Sequence, residues 1–187
     1  MRTAGIDLAF RRNSCGLAIS DTVRGRRCIL FVREWQPRGD AALVPSVTCG
    51  EIAAECTRFD VKVAAADGHY IETMREATDA IGIALIDAPA RPSDAWLPLQ
   101  GDILEGDVDI IEHERLMLQM QSVKFTYEPG GLVKVHQDVA SDGSHGDIAS
   151  AVALANWLQH EAVDTGRMVG GRTRRTDYTR AHRSRFG

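Results

Sequence analysis

The sequence predicts an α/β domain, with a mixed five-stranded sheet flanked by helices and an additional β-hairpin. Near the N-terminus, three strand-like segments follow one another through short turns, which is the pattern of an antiparallel meander. Two later apolar runs each follow a helical segment, and strands joined by such a crossover lie parallel. The 187 residues, 44% of them hydrophobic, suit one domain with a substantial core.

The first strand-like segment, residues 3–9, is apolar on both sides of a single carboxylate, Asp7. The second segment spans residues 14–20, and the third spans residues 27–35 with alternating apolar side chains. A carboxylate among apolar strand neighbours costs desolvation energy unless a cation or hydrogen-bond donors offset it. Asp7 is therefore expected to be paired, capped or bound to a metal ion.

A helix and a buried strand are predicted next. Thr48 and Glu51 have the spacing of a capping box, so a helix is expected from there to about Phe59. Residues 61–66 form a continuous apolar run, which is typical of a strand buried on both faces. The run delivers a second acidic residue, Asp67, at its C-terminal end.

A second helix over residues 71–80 and a second buried strand over residues 81–86 complete the crossover pattern. The sheet is thus expected to have an antiparallel front and a parallel back. If the first and fourth strands are adjacent and parallel, Asp7 and Asp67 lie side by side.

The remaining chain predicts a loop, a helix, a hairpin and a final helix. Two prolines and a glycine interrupt residues 90–106, which indicates a loop, whereas residues 108–120 have helical spacing. Residues 123–127 and 132–136 alternate about a turn containing Gly-Gly, as the arms of a hairpin do. The alanine-rich residues 148–157 predict a helix that approaches the sheet closely.

Composition argues for an intracellular soluble protein. The sequence has no signal-peptide pattern and no apolar run near the roughly 20 residues that a membrane helix requires. The four cysteines, Cys15, Cys28, Cys49 and Cys56, lack the spacing of a zinc site, so we expect them to be reduced and mostly buried.

Charge divides the chain into an acidic domain, residues 1–163, and a basic C-terminal tail, residues 164–187. From residue 166 onward the tail has seven arginines and one aspartate, a net charge of +6, which leaves −10 on the preceding residues. Such a tail is expected to be flexible and to bind a polyanion such as DNA or an acidic partner. The alternative is a solvated terminus with no specific role.

Three acids stand out by position: Asp7 in the first strand, Asp67 after the fourth, and Asp147 at the start of the final helix. Clustered carboxylates repel one another, and hard divalent cations with oxygen ligands commonly offset that repulsion. Two such ions about 4 Å apart can activate a water and stabilise the leaving oxygen in phosphodiester cleavage. This is the chemistry that the pattern favours.

Each acid also has a purely structural interpretation. Ser144 and Asp147 have capping-box spacing, so Asp147 could serve only the helix N-terminus. Asp67 followed by Gly68 could be a strand-ending turn, and Asp7 could be held by a local cation or donor. The appearance of all three in this order of elements favours the metal site.

The order of elements resembles the ribonuclease H-like fold, and the details look most like the nuclease domain of the large terminase subunit of tailed bacteriophages. The resemblance covers about residues 1–160. The matching pieces are Gly5-Ile6-Asp7, Ala66-Asp67-Gly68, the hairpin around Gly130-Gly131, and His145-Gly146-Asp147 with the alanine-rich helix that follows.

The resemblance implies a metal-dependent endonuclease that cuts double-stranded DNA concatemers into genome units during packaging. Asp7, Asp67 and Asp147 would then hold two divalent cations, Mg²⁺ or Mn²⁺. His145 would be a further contact or support at the metal site, or else a neutral surface histidine. Asp142 would be a fourth carboxylate ligand, or else part of an ordinary Asp-Gly turn.

The same resemblance implies partners and a place of action. Besides double-stranded DNA, the expected partners are a packaging ATPase motor and a portal or small terminase subunit, in the cytoplasm of a phage-infected or prophage-bearing bacterium. This chain departs from the complete terminase pattern because it has no Gly-x-x-x-x-Gly-Lys-Ser/Thr phosphate loop. We therefore expect an excised domain, a separate nuclease subunit, or a relative with another role.

Two other functions stay open from the sequence. A junction-resolving nuclease of the RuvC type would use clustered acids on the same fold, and would prefer four-way junctions. A catalytically silent ribonuclease H-like module would bind a partner through its tail.

Four basic residues are candidate DNA contacts. Arg11 and Arg12 lie in the turn after the Asp7 strand, and Lys124 and Lys134 flank the hairpin turn. Each could contact phosphates or could be an ordinary solvent-exposed charge.

Overall fold

The computed structural model describes residues 1–10, 14–39, 41–67 and 70–165, and these form eight strands and five helices. The strands are β1 (Thr3–Asp7), β2 (Cys15–Val23), β3 (Arg26–Trp35), β4 (Val63–Asp67), β5 (Ala84–Asp87), β6 (Val108–Ile110), β7 (Val123–Tyr127) and β8 (Val133–Gln137). The helices are α1 (Pro45–Arg58), α2 (Ile71–Asp79), α3 (Pro92–Glu105), α4 (Glu114–Gln121) and α5 (Asp147–Thr165).

The main sheet is mixed, as predicted, and its strand order is β5-β4-β1-β2-β3-β6. Strands β1, β2 and β3 form the antiparallel meander, whereas β4 and β5 join the sheet parallel to β1. The predicted adjacency of the first and fourth strands is therefore confirmed. Strands β7 and β8 form the predicted hairpin, as a separate two-stranded sheet.

The sheet has six strands rather than five, because the segment predicted as a helix over 108–120 divides into a strand and a helix. Residues of β6 pair in parallel with the outer edge of β3. Helix α4 begins only at Glu114, where the Nδ1 atom of His113 accepts the backbone N–H of Leu116 at 3.2 Å. A three-residue strand was concealed by the helical spacing of the residues that follow it.

The prediction of a loop over 90–106 is wrong, since this segment contains helix α3. Pro92 occupies the first turn, where its missing N–H costs nothing, and Gly106 ends the helix with φ of 75°. The residues that suggested interruption therefore include the start and stop signals of a helix.

The predicted capping box of α1 is also not formed. The helix begins at Pro45, and Thr48 is buried inside it rather than capping it. Glu51 instead accepts a hydrogen bond from the indole Nε1 of Trp35 at 2.6 Å, which ties α1 to β3.

Helices cover both faces of the main sheet. One face packs on α1 and α2 through the side chains Ala4, Ile6, Leu17, Ile19, Ala64 and Ala66. The other face packs on α3, α4 and α5 through residues that include Ala18, Val32 and Ala151. Residues alternate between these two faces along each strand, so each charged strand residue is assigned to one face by its position.

Helix α5 lies unusually close to the centre of the sheet. A Cβ atom on Gly5 would be 2.1 Å from the carbonyl oxygen of Ala151, and one on Gly16 would be 2.1 Å from that of Asp147. Only glycine fits at these two positions, because the helix backbone lies where a side chain would begin. The predicted close approach of the alanine-rich helix is thus observed.

Helix α5 continues to Thr165, two residues past the predicted domain boundary at 163. The rest of the predicted basic tail, residues 166–187, lies outside the described residues, as do Arg11 and Arg12. No helix within the described ranges has both the length and the apolar character that crossing a bilayer demands.

We expect Gly5→Ala to lower the free energy of unfolding by at least about 1–3 kcal/mol, because the added methyl overlaps the backbone of α5. Urea denaturation of the purified protein measures the change. The matched control is Gly50→Ala in α1, where nothing lies within 4 Å of the added atom. The control should be neutral or stabilising by up to about 1 kcal/mol. Equal effects at the two positions would contradict the close helix–sheet contact.

Candidate active site

Two of the predicted acids meet at the C-terminal ends of β1 and β4. These strands are parallel, and Asp7 lies directly opposite Asp67 in their register. Paired residues of neighbouring strands share a face, so both carboxyls point to the α5 side of the sheet. Asp7 is partly buried and Asp67 is exposed, which leaves the pair accessible from outside.

The third acid comes to the same place because of Gly16. On its antiparallel side, Asp7 pairs with Gly16 of β2, and Gly16 is the residue on which the backbone of Asp147 rests. Asp147 is only 4% exposed, and its carboxylate accepts the backbone N–H of Ser14. The three predicted acids are therefore gathered at one end of the sheet by two strand registers and one helix contact.

Burial and mutual repulsion make the negative charge of these acids costly. Desolvation raises the pKa of Asp7 well above its usual range, and the charges of Asp67 and Asp147 raise it further. A side-chain hydrogen bond between Asp7 and Asp67 adds to this rise, and desolvation also raises the pKa of Asp67. Burial, followed by the charge of Glu34, raises the pKa of Asp147 to about 6.

The donor set fits a hard divalent cation. In the described part of the chain, no lysine or arginine forms an ion pair with Asp7, Asp67 or Asp147. The side chains do not converge as they stand, because no group of three or more His, Cys, Asp or Glu residues in the described ranges is positioned to hold a metal ion. A bound divalent cation would offset the repulsion that raises the pKa of Asp7.

Asp142 and His145 lie beside this site, near a separate cavity of about 690 Å³. Asp142 accepts the backbone N–H of Ser144 at 3.0 Å and its hydroxyl at 2.6 Å, and pairs with Arg115 at 3.0 Å. These contacts, with the Ser144 bonds first, lower the pKa of Asp142. His145 is exposed, and its proximity partly opposes the rise in the pKa of Asp147. Metal roles for both residues stay predictions.

The structure argues against the capping interpretation of Asp147. In a capping box the hydroxyl of Ser144 would bond the first turn of α5, but it donates to Asp142. The backbone N–H groups of Ile148 and Ala149 are bound instead by the side chain of Gln119 from helix α4. The Asp147 carboxylate is thus not required to cap these amides.

Both candidate lysines lie on the hairpin and face away from the main sheet. Lys124 and Lys134 are exposed, and they form ion pairs with Asp138 and Glu128 respectively. The opposite face of the hairpin carries Gln137, which lines a cavity of about 270 Å³ together with Asp7 and Asp67. Their contact with DNA, like that of Arg11 and Arg12 outside the described residues, stays a prediction.

Sequence reasoning missed several polar residues around the acids. Glu34 of β3 pairs with Gly16, so it belongs to the same row across the sheet as Asp7 and Asp67. Ser150 donates to Asp7 and accepts a 2.8 Å hydrogen bond from Gln137. Glu34 could have been found from the alternation of β3, which assigns it to the face opposite Trp35, but nothing in the sequence distinguishes Gln137 or Ser150.

Comparison with solved structures identifies the fold. The HK97 bacteriophage large terminase superposes with a TM-score of 0.68 at 19% identity, over 84% of this chain and 39% of that protein. The large terminase nuclease from thermophilic phage G20c gives 0.64 at 16% identity, over 83% of this chain and 80% of that one. This chain has the fold of a large terminase nuclease domain. No protein-family model and no curated protein matches its sequence.

Some structures with the terminase nuclease fold contain metals. The G20c nuclease has been solved with bound magnesium and with bound cobalt. A mutant nuclease domain of the large terminase subunit of bacterial virus Sf6, with manganese and beta-thujaplicinol, gives a TM-score of 0.60 at 10% identity, over 83% of this chain and 87% of that one. The superpositions on the HK97 and G20c proteins confirm the predicted ribonuclease H-like, terminase-type fold.

We expect Asp7→Asn to stabilise the metal-free protein at neutral pH. Because the folded-state pKa of Asp7 lies above its ordinary value of 3.8, protonation of Asp7 stabilises the folded protein. This stabilisation is complete below about pH 4 and is lost as the pH rises through the folded-state pKa. In chelator, the variant should unfold with a free energy about 1–3 kcal/mol higher than the wild type at pH 7.5, and the two should converge at pH 4.

Denaturant titrations at several pH values measure this difference. Asp109→Asn is a suitable control, since Asp109 forms an exposed ion pair with Arg26 at 2.7 Å. Its effect should stay within about 1 kcal/mol at every pH. A wild type whose stability is flat from pH 4 to 8 would show that the acids carry no such repulsion.

Proposed function

We propose that this chain is a divalent-metal-dependent endonuclease that cleaves double-stranded DNA, as in the cutting of concatemers during phage genome packaging. The observation that carries the proposal is the register of Asp67, Asp7 and Gly16 across three strands, with Asp147 resting on Gly16. The terminase nuclease fold supports it independently.

Asp7, Asp67 and Asp147 would hold two divalent cations, Mg²⁺ or Mn²⁺, with Asp142 and His145 as further candidate contacts. The carboxylates of Asp7, Asp67 and Asp147, which have no paired lysine or arginine in the described residues, suit such ions. When bound, the cations would supply an activated water and stabilisation of the leaving oxygen in phosphodiester hydrolysis. Structures of related fold that contain magnesium, cobalt and manganese support this choice.

The residues around the acids have supporting roles in this proposal. Ser150 donates to Asp7, and Ser14 donates to Asp147, so each carboxylate is oriented by a neutral donor that leaves its negative charge available. The exposed side of Asp67 provides the approach for a DNA phosphate. Lys124, Lys134, Arg11 and Arg12 are the candidate contacts to more distant phosphates.

Packaging would require further components. The chain spans 39% of the length of the HK97 large terminase, and its sequence contains no phosphate loop for ATP. We therefore propose that a packaging ATPase motor and a portal or small terminase subunit, supplied by other chains or by a further domain, act with this nuclease in the cytoplasm of a phage-infected or prophage-bearing bacterium. The basic segment from residue 166 is a candidate contact to DNA or to such a partner.

The test is cleavage of supercoiled plasmid by the purified protein with Mg²⁺, Mn²⁺ or chelator. Asp7→Asn, Asp67→Asn and Asp147→Asn should each reduce nicking and linearisation by more than about 100-fold without loss of folding, because each removes a metal-binding oxygen. The matched control is Asp87→Asn. Asp87 ends the neighbouring strand β5 but pairs in register with Ala66, on the opposite face, and binds Arg75 at 2.9 Å.

Cleavage that is lost equally in Asp87→Asn, or that persists in chelator, would contradict the proposed site. Absence of cleavage with every ion, alone and with a motor protein supplied, would favour the catalytically silent module. Preferential cutting of four-way junctions over linear duplex would favour a RuvC-type resolving nuclease instead.

A further inference from the structure

The helix that carries Asp147 is anchored by a side chain from outside the candidate site. Gln119 of α4 is fully buried, and its Oε1 atom accepts the backbone N–H groups of Ile148 at 2.9 Å and Ala149 at 3.1 Å. The first N–H groups of a helix have no partner within the helix, so they require an external acceptor when buried. Gln119 supplies that acceptor for the two residues directly after Asp147.

Gln119 is in turn tied to the central sheet through Glu34. Its Nε2 atom donates to Oε1 of Glu34 at 3.4 Å, and the second oxygen of Glu34 accepts from Arg115 at 2.6 Å. The Glu34 side chain is 7% exposed, and Gln36 also donates to its second oxygen at 2.6 Å, so these three contacts together compensate its charge. Since Glu34 pairs with Gly16, the network begins in the strand row that contains Asp7.

Arg115 holds the other side of the same segment. It pairs with Asp142 at 3.0 Å, and Asp142 binds both the N–H and the hydroxyl of Ser144. Helix α4 therefore contacts the chain before Asp147 through Arg115 and the chain after it through Gln119. Arg115 and Gln119 both donate to the same strand residue, Glu34.

We propose that Gln119 is a positioning residue for Asp147, acting with Glu34 and Arg115 to set the start of α5 relative to Asp7 and Asp67. It contacts no reacting group. By occupying the amides of Ile148 and Ala149, it leaves the Asp147 carboxylate free to bind a divalent cation rather than cap its own helix. This inference rests on the proposed function of the three acids.

The experiment compares two buried glutamines. Gln119→Met keeps the length of the side chain but removes the acceptor. Gln159→Met is the matched control, because Gln159 is also buried, lies at the other end of α5 and donates to Met1, Thr3 and Ser20. Mn²⁺ binding is measured by calorimetry without DNA, and amide hydrogen exchange at residues 148 and 149 is measured by NMR.

Gln119→Met should bind Mn²⁺ about 10–100-fold more weakly than the wild type, with severalfold faster exchange at both amides. Gln159→Met should lower the melting temperature but change neither quantity. If Gln119→Met does not fold, Gln119→Asn applies the same criteria, since it keeps the amide group but withdraws it from α5.

Unchanged Mn²⁺ affinity or unchanged amide exchange in the folded Gln119 variant would overturn the inference, as would an equal loss of affinity in Gln159→Met. A wild type that neither binds Mn²⁺ nor cleaves DNA would instead overturn the proposed function, and this inference with it. The two failures are distinguished by the wild-type binding measurement.

Discussion

The direct contact between helix α5 and strands β1 and β2 is the constraint on which both the fold and the site depend. At Gly5 and Gly16 the helix backbone occupies the space of a side chain, so α5 has little freedom to shift or rotate against the sheet. Gly16 is also the strand partner of Asp7. The same contact that closes the core therefore brings the first residue of α5 to the acids of β1 and β4.

This arrangement sets stability against function. Desolvation and like charges disfavour ionised Asp7 and Asp147, and the donors that contact them, such as Ser150 and Ser14, are neutral. A structural ion pair would have offset part of that cost, as Arg115 does for Glu34, one strand beyond Gly16. Leaving the carboxyls without such a partner is understandable if a metal ion completes the site.

The parts of this molecule that were predictable from sequence depend on local pattern and on the order of elements. The placement of Asp7 beside Asp67 required only that two strands be adjacent and parallel. Helix α3 and strand β6 were missed because prolines also start helices, and because a three-residue strand is defined by a partner, β3, that is distant in sequence. Gln119 was unpredictable since its role depends on where α4 packs, and its spacing resembles that of any helical surface residue.

The distribution of charge between the two faces of the sheet gives a further reason to regard the acids as functional. On the α1 and α2 face, Arg33 binds Glu55 at 2.7 Å and Asp87 binds Arg75 at 2.9 Å. Each of these two charged strand residues therefore has an ion-pair partner. On the α5 face, Glu34 is matched, whereas no lysine or arginine in the described residues pairs with Asp7 or Asp67. The position of these two carboxyls, at the accessible end of one row, is what the cation site proposed above would require.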